Sequence, residues 1–73
     1  MEEGVRIKLA RRIKQRRRQV GMTQEELSAK TGLDYKYVQR IEGKNPPAIR
    51  VDTIAKIAKA LNTTPSKLFQ FDA

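Results

Sequence analysis

The 73-residue sequence contains no cysteine, no histidine and no tryptophan, and it has only two tyrosines and two phenylalanines. Without cysteine the chain can form neither a disulfide nor a thiolate metal site. Without histidine it lacks the side chain most often used as a general base and metal ligand. The composition therefore predicts that the protein has no metal site and no cofactor and is not an enzyme. Catalysis by carboxylates alone is not excluded.

Long apolar segments are also absent, since no stretch of the sequence approaches the ~20 apolar residues that a membrane-spanning helix needs. We expect a soluble, cytoplasmic protein with no membrane partner. A chain of this length makes one domain with a marginal hydrophobic core, and such small domains often gain stability by self-association.

The net charge of +8 points to a polyanionic partner, because cations that neutralise phosphates release counterions and thereby give affinity for DNA. The charge is unevenly distributed. Residues 1–22 have eight basic and two acidic side chains, residues 23–43 have three and four, and residues 44–73 have five and two. This distribution favours cationic flanks that bind phosphates and a central, nearly neutral segment that reads the sequence.

Residues 23–43 have the pattern of a helix-turn-helix motif. Thr23 is the expected N-cap of the first motif helix, and Glu26 stands three residues later, as in a capping box. Gly32 can adopt the left-handed conformation that ends this helix, and Asp34 is the expected N-cap of the second helix.

The second motif helix has an apolar face and a polar face. The apolar face holds Tyr37, Val38 and Ile41. The polar face carries the side chains that we predict to contact DNA bases, namely Tyr35, Lys36, Gln39 and Arg40. An ordinary solvated face is the alternative, and the capped helix and glycine turn before it favour the DNA-reading interpretation.

The loop Lys44-Asn45-Pro46-Pro47 follows this helix directly, and its prolines prevent the helix from continuing. Lys44 and Asn45 are well placed to contact the DNA backbone, and we favour that interpretation over a polar connector that needs only turn chemistry.

Residues 5–20 are predicted to form a first helix whose apolar stripe is Leu9, Ala10, Ile13 and Val20. Arg17 lies at the edge of that stripe and needs a carboxylate if it is buried. We predict a structural ion pair between Arg17 and Glu42, which would hold the first helix against the reading helix.

The basic run at 11–18 has three interpretations. We favour a solvated face with long-range electrostatic help, followed by direct phosphate contact by one or two arginines. A membrane-surface helix ranks last, because the stripe lacks the aromatic anchors of interfacial helices.

Two further helices are expected near the C-terminus. Asp52 is the predicted N-cap of a helix over Thr53 to Leu61, and Thr64 followed by Pro65 predicts a last short helix. The apolar residues at this end are Leu68, Phe69 and Phe71. They either fold back under the first helix or form a dimer contact, and we favour the dimer.

Four segments together resemble the lambda-repressor and Cro type of helix-turn-helix regulator, and the resemblance covers nearly the whole chain. They are Thr23-Gln-Glu-Glu-Leu, Gly32-Leu, Val38-Gln-Arg-Ile-Glu and Thr53-Ile-Ala-Lys-Ile-Ala-Lys-Ala-Leu. The resemblance implies a compact all-α domain of five helices, with helices two and three as the motif. It also implies sequence-specific binding to double-stranded DNA, usually as a homodimer.

The same resemblance implies roles for single residues. Gln24 would touch a phosphate and brace the reading helix, with Thr23 beside it at the DNA backbone, and Arg17 and Glu42 match an internal ion pair of some members. Ser28 departs from the family pattern, in which alanine is more frequent, so its hydroxyl needs a backbone partner. The loop from Gly43 to Asp52 is also about one residue longer than usual.

We therefore predict a transcriptional regulator that binds a two-fold operator as a dimer. The competing hypothesis is a protein-interaction adaptor or antitoxin-like module with the same fold and little DNA reading. Stand-alone members of the family include phage repressors, restriction-modification controllers and antitoxins, and the sequence does not choose among them.

Overall fold

The computed structural model describes residues 4–71, and this part of the chain folds into five helices without a strand. The helices are α1 (Val5–Gln19), α2 (Gln24–Thr31), α3 (Tyr35–Ile41), α4 (Val51–Ala60) and α5 (Pro65–Leu68). The predicted all-α, five-helix architecture is confirmed. In the described range, no helix combines the length and apolar character that crossing a bilayer requires.

The first helix ends at a glycine. Gly21 has a φ of +71°, and the amides of Gly21 and Met22 donate to the carbonyls of Arg18 and Arg17. This pair of bonds is a Schellman motif, which satisfies carbonyls that the end of a helix would otherwise leave without partners. Val20 is consequently the C-cap of α1 rather than its last helical residue.

The predicted start of the fourth helix is wrong. The helix begins at Val51 with Arg50 as N-cap, so Asp52 lies inside the first turn and does not cap it. A carboxylate in the first turn still interacts favourably with the helix dipole, which explains why the pattern suggested a helix start here. At the other end, Asn62 adopts a φ of 55°, and the Thr63 amide donates to the Ala58 carbonyl.

The hydrophobic core receives side chains from all five helices. Its members include Leu9 and Ile13 of α1, Leu27 of α2, Val38 and Ile41 of α3, Ile54, Ile57 and Ala58 of α4, and Leu68 of α5. Helix α2 packs against α3 and α4, while α5 packs against α4 and α1. The apolar face of α3 therefore packs against the core, and the opposite, polar face of the helix is exposed.

The C-terminal apolar residues separate into two groups. Leu68 is fully buried within the chain and Phe71 packs partly buried against the core, so both fold back onto the domain. Leu68 as a dimer contact is therefore wrong. Phe69 is 43% exposed, and its ring meets that of Phe71 edge to face with 6.0 Å between centroids. Lys8 Nζ lies 6.0 Å from the centre of the Phe71 ring.

The capping box at the start of α2 is present as predicted. Thr23 Oγ1 accepts from the Glu26 amide at 3.0 Å, and Glu26 Oε1 accepts from the Thr23 amide at 2.9 Å. These hydrogen bonds, led by that from the Thr23 backbone, lower the pKa of Glu26 below its ordinary value of 4.5. The ionised carboxylate therefore stabilises the start of the helix on which the motif is built.

We expect this contribution to depend on pH with a definite sign. Because the pKa of Glu26 is lower in the folded than in the unfolded chain, its stabilisation is complete above the unfolded pKa and is lost as pH falls through the folded pKa. Thermal melting followed by circular dichroism below about pH 4.5 should show a smaller loss of Tm in Glu26→Gln than in the wild type. Parallel curves for the two proteins would contradict the assignment.

Candidate nucleic-acid interface

The turn between α2 and α3 is held by side chains of α2. Gly32 has a φ of +76°, and its amide donates to the Ser28 carbonyl at 2.9 Å. The Ser28 hydroxyl donates to the Leu33 carbonyl, while the Leu33 amide donates to Thr31 Oγ1 at 3.2 Å. Both backbone groups of Leu33 are thus satisfied by α2. Ser28 has the backbone partner that its departure from the family pattern requires.

Helix α3 is seven residues long and begins at the predicted cap, where Asp34 Oδ1 accepts from the Lys36 amide at 2.8 Å. Val38 and Ile41 are each 1% exposed and anchor the helix to the core. Tyr37 is partly buried against the same core. The apolar face is therefore the one predicted, and it fixes which side of α3 points outward.

The outward face of α3 carries the predicted base-contacting residues. All four are exposed, and within residues 4–71 none of their side chains makes a hydrogen bond or an ion pair. They are Tyr35, Lys36, Gln39 and Arg40. The structure thus places a phenol, an ammonium, an amide and a guanidinium on one short helix face, where each can bond to another molecule.

Arg17 and Glu42 form the predicted ion pair in bidentate geometry. Arg17 Nε lies 2.8 Å from Glu42 Oε2, and Arg17 Nη2 lies 2.9 Å from Glu42 Oε1. Their side chains are only 10% and 1% exposed. The hydrogen bond to Glu42 raises the pKa of Arg17 despite the opposing effect of burial, so the guanidinium stays charged.

Two further bonds extend this pair to the rest of the motif. Gln24 Nε2 donates to Glu42 Oε1 at 3.1 Å, and Arg17 Nη1 donates to the Met22 carbonyl at 2.8 Å. Gln24 therefore ties the first residue of α2 to the C-cap of α3, which is the bracing contact that the resemblance implies. Among the described residues, every buried side-chain nitrogen and oxygen has a partner.

The loop after α3 lies against the N-terminal half of α1. Lys44 and Asn45 are both exposed, as a backbone contact requires, and they line a shallow groove together with Val5 and Ile7. Thr23 is exposed at the start of α2. The structure thus leaves these three predicted backbone-contacting residues accessible, and Gln24 is partly buried because of its bond to Glu42.

Sequence reasoning missed the role of two arginines in the basic run. Arg16 donates to the carbonyls of Leu61 and Asn62, both at 2.9 Å, and Arg12 Nε donates to the Lys67 carbonyl at 3.3 Å. They therefore satisfy backbone carbonyls at the ends of α4 and α5, where a cation also interacts favourably with the helix dipole. The solvated-face interpretation is therefore incomplete for these two partly buried side chains, and no local pattern in the sequence indicates their distant carbonyl partners.

The sequence profile of the helix-turn-helix family matches residues 13–68, and the chain belongs to this family. No protein of curated function matches it. The restriction-modification controller C.AhdI from Aeromonas hydrophila is 32% identical, with a TM-score of 0.80 over 86% of this chain and 94% of that one.

Two other solved structures are similar. The controller C.Esp1396I, solved bound to a 25 base pair operator site, is 32% identical, with a TM-score of 0.83 over 94% of this chain and 90% of that one. A hypothetical transcription factor, NHTF from Neisseria, is 35% identical, with a TM-score of 0.82 over 89% of this chain and 72% of that one.

We expect Glu42→Ala to destabilise the fold by about 3–5 kcal/mol, because it leaves the buried Arg17 charge without its partner. The free energy of unfolding in urea would measure the loss. The double variant Arg17→Met/Glu42→Met is the control and should recover much of it, since apolar side chains can replace a buried pair. A Glu42→Ala protein as stable as the wild type would show that the pair adds nothing to the fold.

Proposed function

We propose that this protein is a transcriptional regulator that binds double-stranded DNA in a sequence-specific manner, and that it acts in the cytoplasm as a binding protein rather than an enzyme. The observation that supports this most directly is the outward face of α3. Its four polar side chains are exposed and have no partner within residues 4–71, although the opposite face is fixed in the core. A rigid helix with such a face fits the major groove.

In the proposed complex, the residues divide by the part of DNA that they contact. Base contacts come from Tyr35, Lys36, Gln39 and Arg40. Arg40 and Lys36 suit a guanine edge and Gln39 suits an adenine edge. Backbone contacts come from Thr23, Gln24, Lys44 and Asn45, which flank the reading face at the start of α2 and after α3.

We further propose that two copies bind a two-fold operator with half-sites ~34 Å apart, one helical turn of DNA. Seven residues of reading helix contact few base pairs, so a second copy is needed for a long site. Phe69 is the exposed aromatic side chain of the C-terminal segment, and Phe71 lies beside it. We assign the dimer contact to the exposed ring of Phe69 and to the part of the Phe71 side chain that the core leaves exposed, and Leu68 is excluded because it is fully buried.

The biological role that the comparisons favour is control of a restriction-modification system. Two different controllers of such systems are similar to this chain over most of its length. Genes for a nuclease and a methylase beside this one would support the role. An adjacent toxin gene would favour the antitoxin role instead.

The decisive experiment is selection of bound sequences from random duplexes with the purified protein, followed by footprinting of the selected site. We expect a two-fold consensus that is preferred to random DNA by several kcal/mol and whose binding weakens steeply as salt rises. Recovery of no consensus, with weak binding that ignores sequence, would overturn the proposal and favour an interaction module that only retains the fold.

We expect Gln39→Ala and Arg40→Ala each to cost about 1–3 kcal/mol of operator preference while the fold is kept, because both side chains are exposed. The measurement is the ratio of dissociation constants for operator and random duplex. Lys59→Ala removes an exposed side chain of α4 and is the matched control, for which that ratio should not change. An unchanged ratio in both α3 variants would remove these residues from the base-contacting set.

We expect Phe69→Asp to raise the dimer dissociation constant at least tenfold, because it would bury a carboxylate in an apolar contact. Sedimentation equilibrium measures this directly. Val51→Asp is the control, since it adds the same charge at an apolar side chain that is 81% exposed and lies on α4. Equal dimerisation of the two variants would place the dimer contact elsewhere.

A further inference from the structure

The cations of α1 lie along two edges of the helix that have different surroundings. On one edge, Arg12 and Arg16 donate to backbone carbonyls at the ends of α5 and α4. On the other edge lie Arg11, Lys14 and Arg18, which we call the outer stripe. The contacts of Arg12 and Arg16 account for one edge of the basic run, and the function proposed above assigns no role to the outer stripe.

The outer stripe has the geometry of one continuous helix surface. Its members are three and four residues apart, so they lie on neighbouring turns of the same face. Arg11 and Arg18 are exposed and Lys14 is partly buried, and all three line a shallow groove on the surface of α1. Lys14 and Arg18 are like charges four residues apart, which repel one another on a helix, so an anion that binds to both would relieve this repulsion.

The outer stripe adjoins the loop that follows α3, where Lys44 is a predicted backbone contact. Arg11 and Lys14 line a second groove together with Gly43 and Lys44, the residues that follow α3. A backbone strand held by Lys44 would therefore meet Lys14 next and could continue along α1 toward Arg18. No other partner needs to be assumed, because the proposed ligand is itself a row of regularly spaced anions.

We propose that the outer stripe binds phosphates of the DNA backbone beside the base pairs that α3 reads, with Lys14 and Arg18 as the contacting residues. This inference rests on the proposed function and extends its surface from the helix-turn-helix motif to α1. Phosphate contacts carry no sequence information, so the stripe contributes affinity and orientation while α3 contributes discrimination.

The alternative is that the stripe acts only through the net charge of the chain. A matched pair of cations elsewhere separates these two cases. Lys56 and Lys59 are exposed on α4 and line a different groove with Lys30 and Thr31, which shares no residue with the two grooves beside the stripe. Exposed charges more than about 10 Å apart are largely screened at 0.1 M salt, so position and net charge have distinguishable effects.

The test compares Lys14→Gln/Arg18→Gln with Lys56→Gln/Lys59→Gln, each of which lowers the net charge by the same amount. Fluorescence anisotropy gives the affinity for the selected operator and for a random duplex from 0.05 to 0.3 M salt. For the stripe variant we expect the slope of log K against log salt to become shallower by about 0.9 for each lost contact. Operator and random duplex should weaken alike, by about tenfold or more near 0.1 M salt, so their ratio stays constant.

The α4 variant should keep the wild-type slope and change affinity less than threefold. Equal losses of affinity in both variants would mean that the stripe acts only through the net charge, which would overturn the proposal. Unchanged affinity in both variants would also overturn it. Arg18→Gln alone, at an exposed position, gives the same test if the double variant is less stable. A wild type that fails to prefer the operator would instead refute the proposed function, so the two failures are distinguishable.

Discussion

The buried pair between Arg17 and Glu42 is the interaction on which the arrangement of the motif depends. Glu42 accepts from Arg17 of α1 and from Gln24 of α2, and it is itself the C-cap of α3. One carboxylate thereby joins three helices through hydrogen bonds of fixed direction. Apolar packing alone constrains distance better than orientation, whereas a bidentate guanidinium also fixes the angle. The pair thus sets how α3 is presented to a ligand.

The same helix shows how position decides what a cation does. Arg17 is buried with a carboxylate, Arg12 and Arg16 bond to carbonyls at helix ends, and Lys14 and Arg18 remain outside these contacts. A run of like charges in a sequence therefore contains several different functions. Neighbouring residues on a helix point about 100° apart, so each successive side chain meets a different environment.

Much of the fold could be predicted from local sequence signals. Thr23 with Glu26, Gly32, Asp34 and Thr64 with Pro65 mark helix ends through contacts within a few residues, and all of these are found in the structure. The error at Asp52 has the same origin, since a carboxylate serves equally well as a cap or in the first turn. Both ends of α2 and the starts of α3 and α5 could be predicted because their chemistry is local.

The contacts that could not be predicted join residues far apart in the chain. The bonds of Arg16 to Leu61 and Asn62 depend on how α1 lies against the end of α4, and only the packed core determines that. The burial of Leu68 is similar, because an apolar residue near the C-terminus suits a core and a dimer contact equally well. Arg17 with Glu42 was the exception, because an arginine at the edge of the apolar stripe needs a carboxylate and the resemblance implied the same pairing.

Helix α3 has only seven residues, and an isolated helix of that length is not stable in water. Its shape is therefore imposed by the Asp34 cap, by the bonds of α2 to Leu33 and by the Glu42 network. A helix that is already held in place loses little further entropy when it binds, which leaves more of the contact energy for affinity.

The four side chains on the outward face of α3 can be substituted without disturbing the fold, because no bond within residues 4–71 that supports α3 uses them. In the proposed complex, affinity therefore comes mainly from cations at the flanks and specificity from the outward face of α3, so each can vary while the other is kept.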